Sequence, residues 1–428
     1  MSTLAEIFDD GARAEIDALI AARGLAGGVT FSLLGPGGDA LDIARGVGDG
    51  TGTALSPSHW VEHASLSKTV AAVFATQYYA AKGVAPTASV NELLGALGEA
   101  KTGGFKLVPA AGCPQAWADG VQLKHLMNHT GLGMHYVYGV PLDVPFPPVL
   151  ELITGQHDTG AGLGLGYAAI EVSKEPGTAF GYSGGGFLVL QHLLEATEGR
   201  PIEEVMRGWM DRVGLRDFSF VPTDLPGRGP YAQGFMDDGT VVGGGVGRLA
   251  FPPLAAGAVG TPRALANFWA ALHGAYAAGP DGSSLGGADD APISHATAAS
   301  VLRDHTADAG SVEFMNAEMG LGVFVATAGP NKVALHQAAN EGFRGAYVVV
   351  FEGPDAGKGM VVVSNGDNDS AILNAEVMRL VLLRWGWAGV DADVLRRDAA
   401  FAFKDIPQEQ IVNQAYKALV FDAFEPVS

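Results

Sequence analysis

One cysteine, Cys113, stands in 428 residues, so no disulfide can close within the chain and no thiolate cluster can form from it to hold a metal. Its setting, AAGCPQ, is a loop of small residues, Pro and Gly, which marks it as a bystander rather than a nucleophile. Positive charge is also scarce: 26 Lys and Arg against 46 Asp and Glu leave a formal net charge of -20. Such a field repels phosphate backbones and excludes nucleic acid as a partner. Charged residues of both signs amount to 17% against 48% hydrophobic, which excludes a disordered or coiled-coil chain. No run reaches the roughly 18 uninterrupted apolar residues of a membrane span. The nearest, FPPLAAGAVG from Phe251, is broken by Pro and Gly. The opening MSTLAEIFDDGARAEID carries acids where an export signal carries Lys or Arg ahead of an apolar run. These absences point to a globular cytoplasmic protein without membrane or nucleic-acid partners. They leave the oligomeric state open.

What the sequence holds in excess is glycine, 61 residues, clustered as GAGLGLG at 160–166 and GGGVG at 243–247. Both clusters read as mobile loops. Residues 4–23 read as one amphipathic helix with Leu4, Ile7, Phe8, Ile16, Leu19 and Ile20 on a common side. VTFSLLG (29–35) and ALDIARGVG (40–48), joined by PGGD, read as a hairpin. Four more strands follow late in the chain: 321–329, 332–338, 345–353 and 359–365. The apolar run 371–387 reads as a helix that closes this block. The segments between the two strand blocks are mostly helical in pattern.

Strands at both ends and helices in the middle predict an α/β (α+β) fold: an antiparallel sheet flanked by N- and C-terminal helices, with a mostly helical domain inserted. The expected boundaries are 1–85 with 310–390 for the sheet domain and 86–309 for the insertion. Residues 391–428 are expected to form an extension packed on the sheet domain.

Three segments carry chemistry. HASLSKTVAAVFATQYYAAKG places Ser65 and Lys68 three apart at the start of an apolar helix, on one face, so the amine can reach the hydroxyl. The positive end of that helix favours a developing alkoxide. EPGTAFGYSGGGF places Tyr182 in a Gly-rich turn before a second apolar helix. ALHQAANEGFRGAYVVVFEG is a strand, turn and strand that carries His336. Each alone has an ordinary structural explanation: a helix cap with a surface Lys, a core Tyr, a strand His.

Taken in order, SLSK, LKHLMNHTGL (123–132), YSG, AAGAVGTPRALANF (255–268) and HQA together resemble the serine β-lactamase and penicillin-binding-protein-like hydrolases. The nearest likeness is to the class C β-lactamases and the family VIII carboxylesterases, over roughly residues 5–385. The resemblance implies Ser65 as nucleophile, Lys68 as proton acceptor or electrostatic partner and Tyr182 as the base relay. It implies an oxyanion hole from the backbone N–H groups of Ser65 and Ala339. It implies a substrate contact surface at Gly184, His336, Gln337 and Ala338. No cofactor and no metal are called for.

Two departures from that pattern bear on substrate. Where the family carries an Asn that contacts a substrate amide, this chain has Gly184. Where it carries Lys-Thr-Gly, whose Lys attracts a carboxylate, this chain has His336-Gln337-Ala338. Arg344, expected in the turn after the His336 strand, can replace the missing Lys if it faces the cleft. The resulting expectation is a serine hydrolase, carboxylesterase-like, that cleaves a small uncharged ester through an acyl-Ser65 intermediate. An amidase, D-aminopeptidase or acyltransferase on the same scaffold is the alternative, with a β-lactamase behind it. A catalytically silent binding homologue is the reading from a different class.

Two other motifs compete for attention. GYSGG (181–185) matches the G-x-S-x-G nucleophile elbow of α/β-hydrolases with Ser183 at its centre, but Pro176 and Gly177 stand where a buried strand should precede it. HWVEH (59–63) matches a zinc-peptidase string, yet read as a strand its histidines lie about 13 Å apart, too far for one metal. His125 and His129, four apart, read as a packed helix end.

Overall fold

The computed structural model describes residues 3–133, 135, 137–156, 168–221, 228–280, 291–307 and 317–397. A seven-stranded antiparallel sheet organises them. Its strands are β1 (Gly28–Leu34), β2 (Ala40–Gly46), β3 (Glu318–Met319), β4 (Phe324–Ala328), β5 (Asn331–Asn340), β6 (Phe343–Glu352) and β7 (Gly359–Ser364). They lie in the order β3-β4-β5-β6-β7-β1-β2, so the N-terminal hairpin adds to the edge of the C-terminal block. The seam is the β1–β7 pair, with Phe31 opposite Val362 on one side and Ile43 on the other. Every residue of β1 and β7 is buried, which is why GVTFSLL and GMVVVS read as continuous rather than alternating strands.

Five helices matter for the site: α1 (Asp10–Arg23), α2 (Ser67–Ala81), α3 (Gly184–Glu198), α4 (Pro262–Ala277) and α5 (Asn368–Trp385). On one face of the sheet, Ile16 of α1 and Leu373 and Val377 of α5 pack on Phe31, Leu335, Val348 and Val362. Burying a side chain such as Ile16 contributes about 1.5–3 kcal/mol. On the other face, Ala334, Ala338, Tyr347 and Val349 meet Val70 and Val73 of α2, Leu188 of α3 and Trp269 of α4. The functional residues sit on this second face.

The helix expected over 4–23 is two helices. Leu4–Ile7 ends at Phe8, and Asp9 restarts the chain by accepting the Ala12 N–H at 2.9 Å. The apolar spacing runs straight through the break, so it gave no sign of it. The GGGVG cluster is a short 3₁₀ turn at Gly243–Gly245 whose φ values are 65°, 68° and 101°, a conformation glycine adopts freely, so its glycines serve a defined turn. The 160–166 cluster lies outside the described residues, as does the C-terminal extension beyond 397. Among the described residues no helix is long and apolar enough to cross a membrane.

Candidate active site

The chain enters the site through Val61–Glu62, a two-residue strand, and turns at Ala64–Leu66, a 3₁₀ turn that runs into α2. Ala64 takes φ +45°, a region that costs a non-glycine residue about 1–3 kcal/mol. The turn is fastened to the segment 255–260 that resembles the family's. His63 N–H donates to Ala258 O at 2.8 Å. Ser67 Oγ donates to Ala64 O at 2.5 Å and accepts the Ala258 N–H at 3.0 Å. From His59 to Thr76 every residue is buried except Ser65. The strained turn thus presents one hydroxyl.

Lys68, 1% exposed, donates from Nζ to Ser65 Oγ at 3.0 Å and to Ala255 O at 2.6 Å. Among the described residues no acid is bonded to it. Burial therefore acts against its charge and brings the ammonium down from 10.5 to about 7. At neutral pH a substantial fraction is the free amine, a form able to accept a proton from the hydroxyl it faces. Gly322 allows this helix end to be covered closely: its φ is +67°, and a Cβ there would lie 2.6 Å from Lys68 O.

Tyr182 stands at the mouth of the same cluster, its ring centroid 4.9 Å from Lys68 Nζ and 6.1 Å from the ring of His336. His129 backs it. The helix expected to carry both His125 and His129 is only Leu123–Met127, and His129 lies past its end at φ +60°. His129 Nδ1 accepts the N–H of Ser183, and its ring lies 4.3 Å from that of Tyr182. His125 turns the other way, accepting the Gln122 N–H at 3.1 Å. The two histidines therefore serve separate backbone contacts.

His336 lies in the middle of β5. It is 1% exposed, and its Nδ1 donates to Gln337 O at 2.5 Å. Burial, with the Lys68 charge beside it, pushes its pKa down to about 3. It is neutral across the working range and offers no anchor to a carboxylate. Gln337 and Ala338 follow it, both buried, and Ala339 is exposed. Gly184 opens α3 under a covering loop: a Cβ there would meet Val137 Cγ1 at 2.8 Å and His135 O at 3.3 Å. The space an Asn would take at this position is filled by Val137.

Arg344 corrects the sequence expectation. The turn is only Glu341 and Gly342, so Arg344 is already the second residue of β6, opposite Ala339 and Ser364. Its guanidinium is ion-paired with Asp367 and donates to Asn340 O, Phe343 O and Asn368 Oδ1. It is a fastening between β6 and the start of α5, and it is not placed to receive a substrate carboxylate. Arg344→Ala will strand Asp367, whose side chain is 10% exposed, without its cation. The expected loss is about 3–5 kcal/mol of stability, read as a lower urea midpoint, with the KM for a neutral ester little changed.

Ser183 does not form an elbow. It precedes α3 at the end of the loop Gly177–Tyr182, and it is 1% exposed. HWVEH contributes only Val61–Glu62 to a strand, while His59 Nδ1 is engaged by Ser56. Sequence reasoning missed the Ala255 carbonyl, which every residue type supplies equally, and the contact of His129 with the Tyr182 loop.

A seven-stranded antiparallel sheet with helices on both faces and a Ser-x-x-Lys pair facing a Tyr is the architecture of the penicillin-recognising hydrolases. The chain belongs to the β-lactamase family, whose model matches residues 15–383. Among solved structures it is similar to the octameric penicillin-binding protein homologue from Pyrococcus abyssi, at 17% identity and TM-score 0.60, over 88% of this chain and 77% of that one. The D-amino acid amidase from Ochrobactrum anthropi SV3 aligns at 17% identity and TM-score 0.60, over 87% of this chain and 98% of that one. The β-lactamase/D-alanine carboxypeptidase from Pseudomonas syringae aligns at 18% identity and TM-score 0.58, over 87% and 99%. At these identities the likeness is one of fold. No curated protein sequence matches the chain.

Proposed function

We propose that this protein is a serine hydrolase that cleaves small uncharged carboxylic esters through an acyl-Ser65 intermediate. The observation that carries the reading is the 3.0 Å contact between Ser65 Oγ and a buried Lys68 whose pKa lies near 7. Ser65 Oγ attacks the ester carbonyl carbon while its proton passes to the unit formed by Lys68 and Tyr182. The tetrahedral oxygen is received by the backbone N–H groups of Ser65 and Ala339. The C–O bond to the leaving alcohol breaks, and the alcohol takes the proton from the same unit. Water then repeats the sequence on the acyl-enzyme, releasing the acid and restoring Ser65.

The preference for an uncharged ester is supported by what surrounds this unit. His336 is neutral and buried, Arg344 is consumed by Asp367, and Val137 occupies the place of an amide-binding side chain. An amidase is the second reading, favoured by the likeness to the D-amino acid amidase and to a D-stereospecific amidohydrolase from Streptomyces. Purified protein assayed on neutral aryl esters, matching anilides and a carboxylate-bearing cephalosporin separates the readings. The expected order of kcat/KM is ester, then anilide, then cephalosporin. A cephalosporin hydrolysed faster than the ester contradicts the substrate class.

A further inference from the structure

Three residues before the nucleophile lies a buried carboxylate that the reaction does not use. Glu62 is 3% exposed, and its two oxygens face donors from different parts of the chain. Oε2 accepts from Asn340 Nδ2 at 2.6 Å, and Oε1 accepts the Leu249 N–H at 3.4 Å. The same Asn340 Nδ2 also donates to Ala256 O at 3.2 Å. Ala256 follows Ala255, whose carbonyl holds Lys68 Nζ. Asn340 is the last residue of β5 and follows Ala339 directly. One side-chain amide thus joins three pieces: the strand that leads into the Ser65 turn, the segment that holds Lys68, and the end of β5.

We propose that Glu62 is a positioning residue for hydrolysis, its carboxylate pinning Asn340 so that the Ala339 end of β5 is held against the Ser65 turn. This rests on the acyl-Ser65 reading above. A displacement of about 1 Å between the two backbone N–H groups that receive the tetrahedral oxygen can cost roughly 10²-fold in rate. Asn340 is held to Glu62 by a hydrogen bond that is stronger when the acceptor is ionised. Protonation removes one acceptor and weakens the other. Burial raises Glu62 to about 7, with Arg248 lowering it and Glu341 raising it. His63, its neighbour in the chain, is brought down to about 4 by burial and is uncharged there. The active form therefore needs Glu62 ionised and Lys68 neutral, and each must lose a proton near neutrality.

A merely structural Glu62 would alter stability and leave the kinetic pattern alone. The positioning role predicts that Glu62→Gln and Asn340→Ala each lower kcat on a neutral aryl ester about tenfold, with KM within about twofold. The double variant should be no worse than the poorer single. The kcat/KM advantage of the unaltered enzyme over Glu62→Gln should shrink from about tenfold above about pH 8 to less than about twofold below about pH 6, where protonation makes the carboxyl an isostere of the amide. A ratio that stays constant from about pH 8 to about pH 5, or an unchanged kcat in either variant, overturns the proposal. If Glu62→Gln does not fold, Asn340→Ala, which leaves the carboxylate in place, decides by its kcat. Labelling of each folded protein with a fluorophosphonate separates the two claims. No label at Ser65 in the unaltered enzyme defeats the nucleophile reading. Label at Ser65 with the same rate in Glu62→Gln defeats only the positioning role.

Discussion

Ser65→Ala will abolish turnover, lowering kcat by at least about 10⁴-fold on any ester the enzyme accepts, while Ser183→Ala retains most of the activity. The contrast follows from exposure and partner. Ser65 is the one residue between His59 and Thr76 that is not buried, and it faces an amine at 3.0 Å. Ser183 is buried, and its backbone N–H is bonded to His129. Ala at position 65 keeps the turn, because Ser67 Oγ and the His63 N–H hold it to Ala258 without help from the Ser65 side chain. Steady-state kinetics on both variants, with circular dichroism to establish folding, measures this. Full activity in Ser65→Ala would remove the SxxK pair from the mechanism.

The second large effect belongs to the proton-transfer unit. Lys68→Ala removes the group proposed to take the Ser65 proton and leaves the Ala255 carbonyl without its donor, so kcat should fall about 10³-fold or more. Tyr182→Phe keeps the ring against His129 and over Lys68 and removes only the hydroxyl. It should also lower kcat, by about 10²-fold or more, and the double variant should be little worse than Lys68→Ala. The proposed base is the neutral form of Lys68, so activity should rise with pH through about 7 and level above. An activity that falls with rising pH over this range would show that the ammonium, not the amine, is required.

The sheet was largely legible in the sequence because its strands are long apolar runs broken by Gly-containing turns. The limits were set where side chains stop signalling pairing. KVALHQA ends at Ala338, yet β5 runs on through Asn340 because Ala339 and Asn340 still pair with Arg344 and Phe343. That two-residue extension is what moved Arg344 out of a turn and into a strand. The Ser65–Lys68 relation was legible because it is local. Its actual geometry is a 3₁₀ turn followed by a helix rather than one continuous helix, and nothing in ASLSK announces a positive φ at Ala64. The contacts that complete the site join distant segments through the backbone: Ala255 O to Lys68, Ser183 N to His129, Ala256 O to Asn340. A carbonyl or an N–H carries no residue identity, so such contacts leave no trace in a single sequence. The readings of Gly184 and His336 as departures needed the fold to acquire meaning, since only the fold shows Val137 over one and burial around the other.

The central claim is that the acyl group is carried on Ser65, and trapping it is the most direct measurement. The purified enzyme is treated with an aryl fluorophosphonate, or mixed with a slowly hydrolysed aryl ester and quenched in acid, then digested and mapped by mass spectrometry. The account predicts one adduct per chain, on Ser65, absent from Ser65→Ala and formed more slowly in Lys68→Ala. An adduct on Ser183, or ester turnover with Ser65 unmodified, would contradict it.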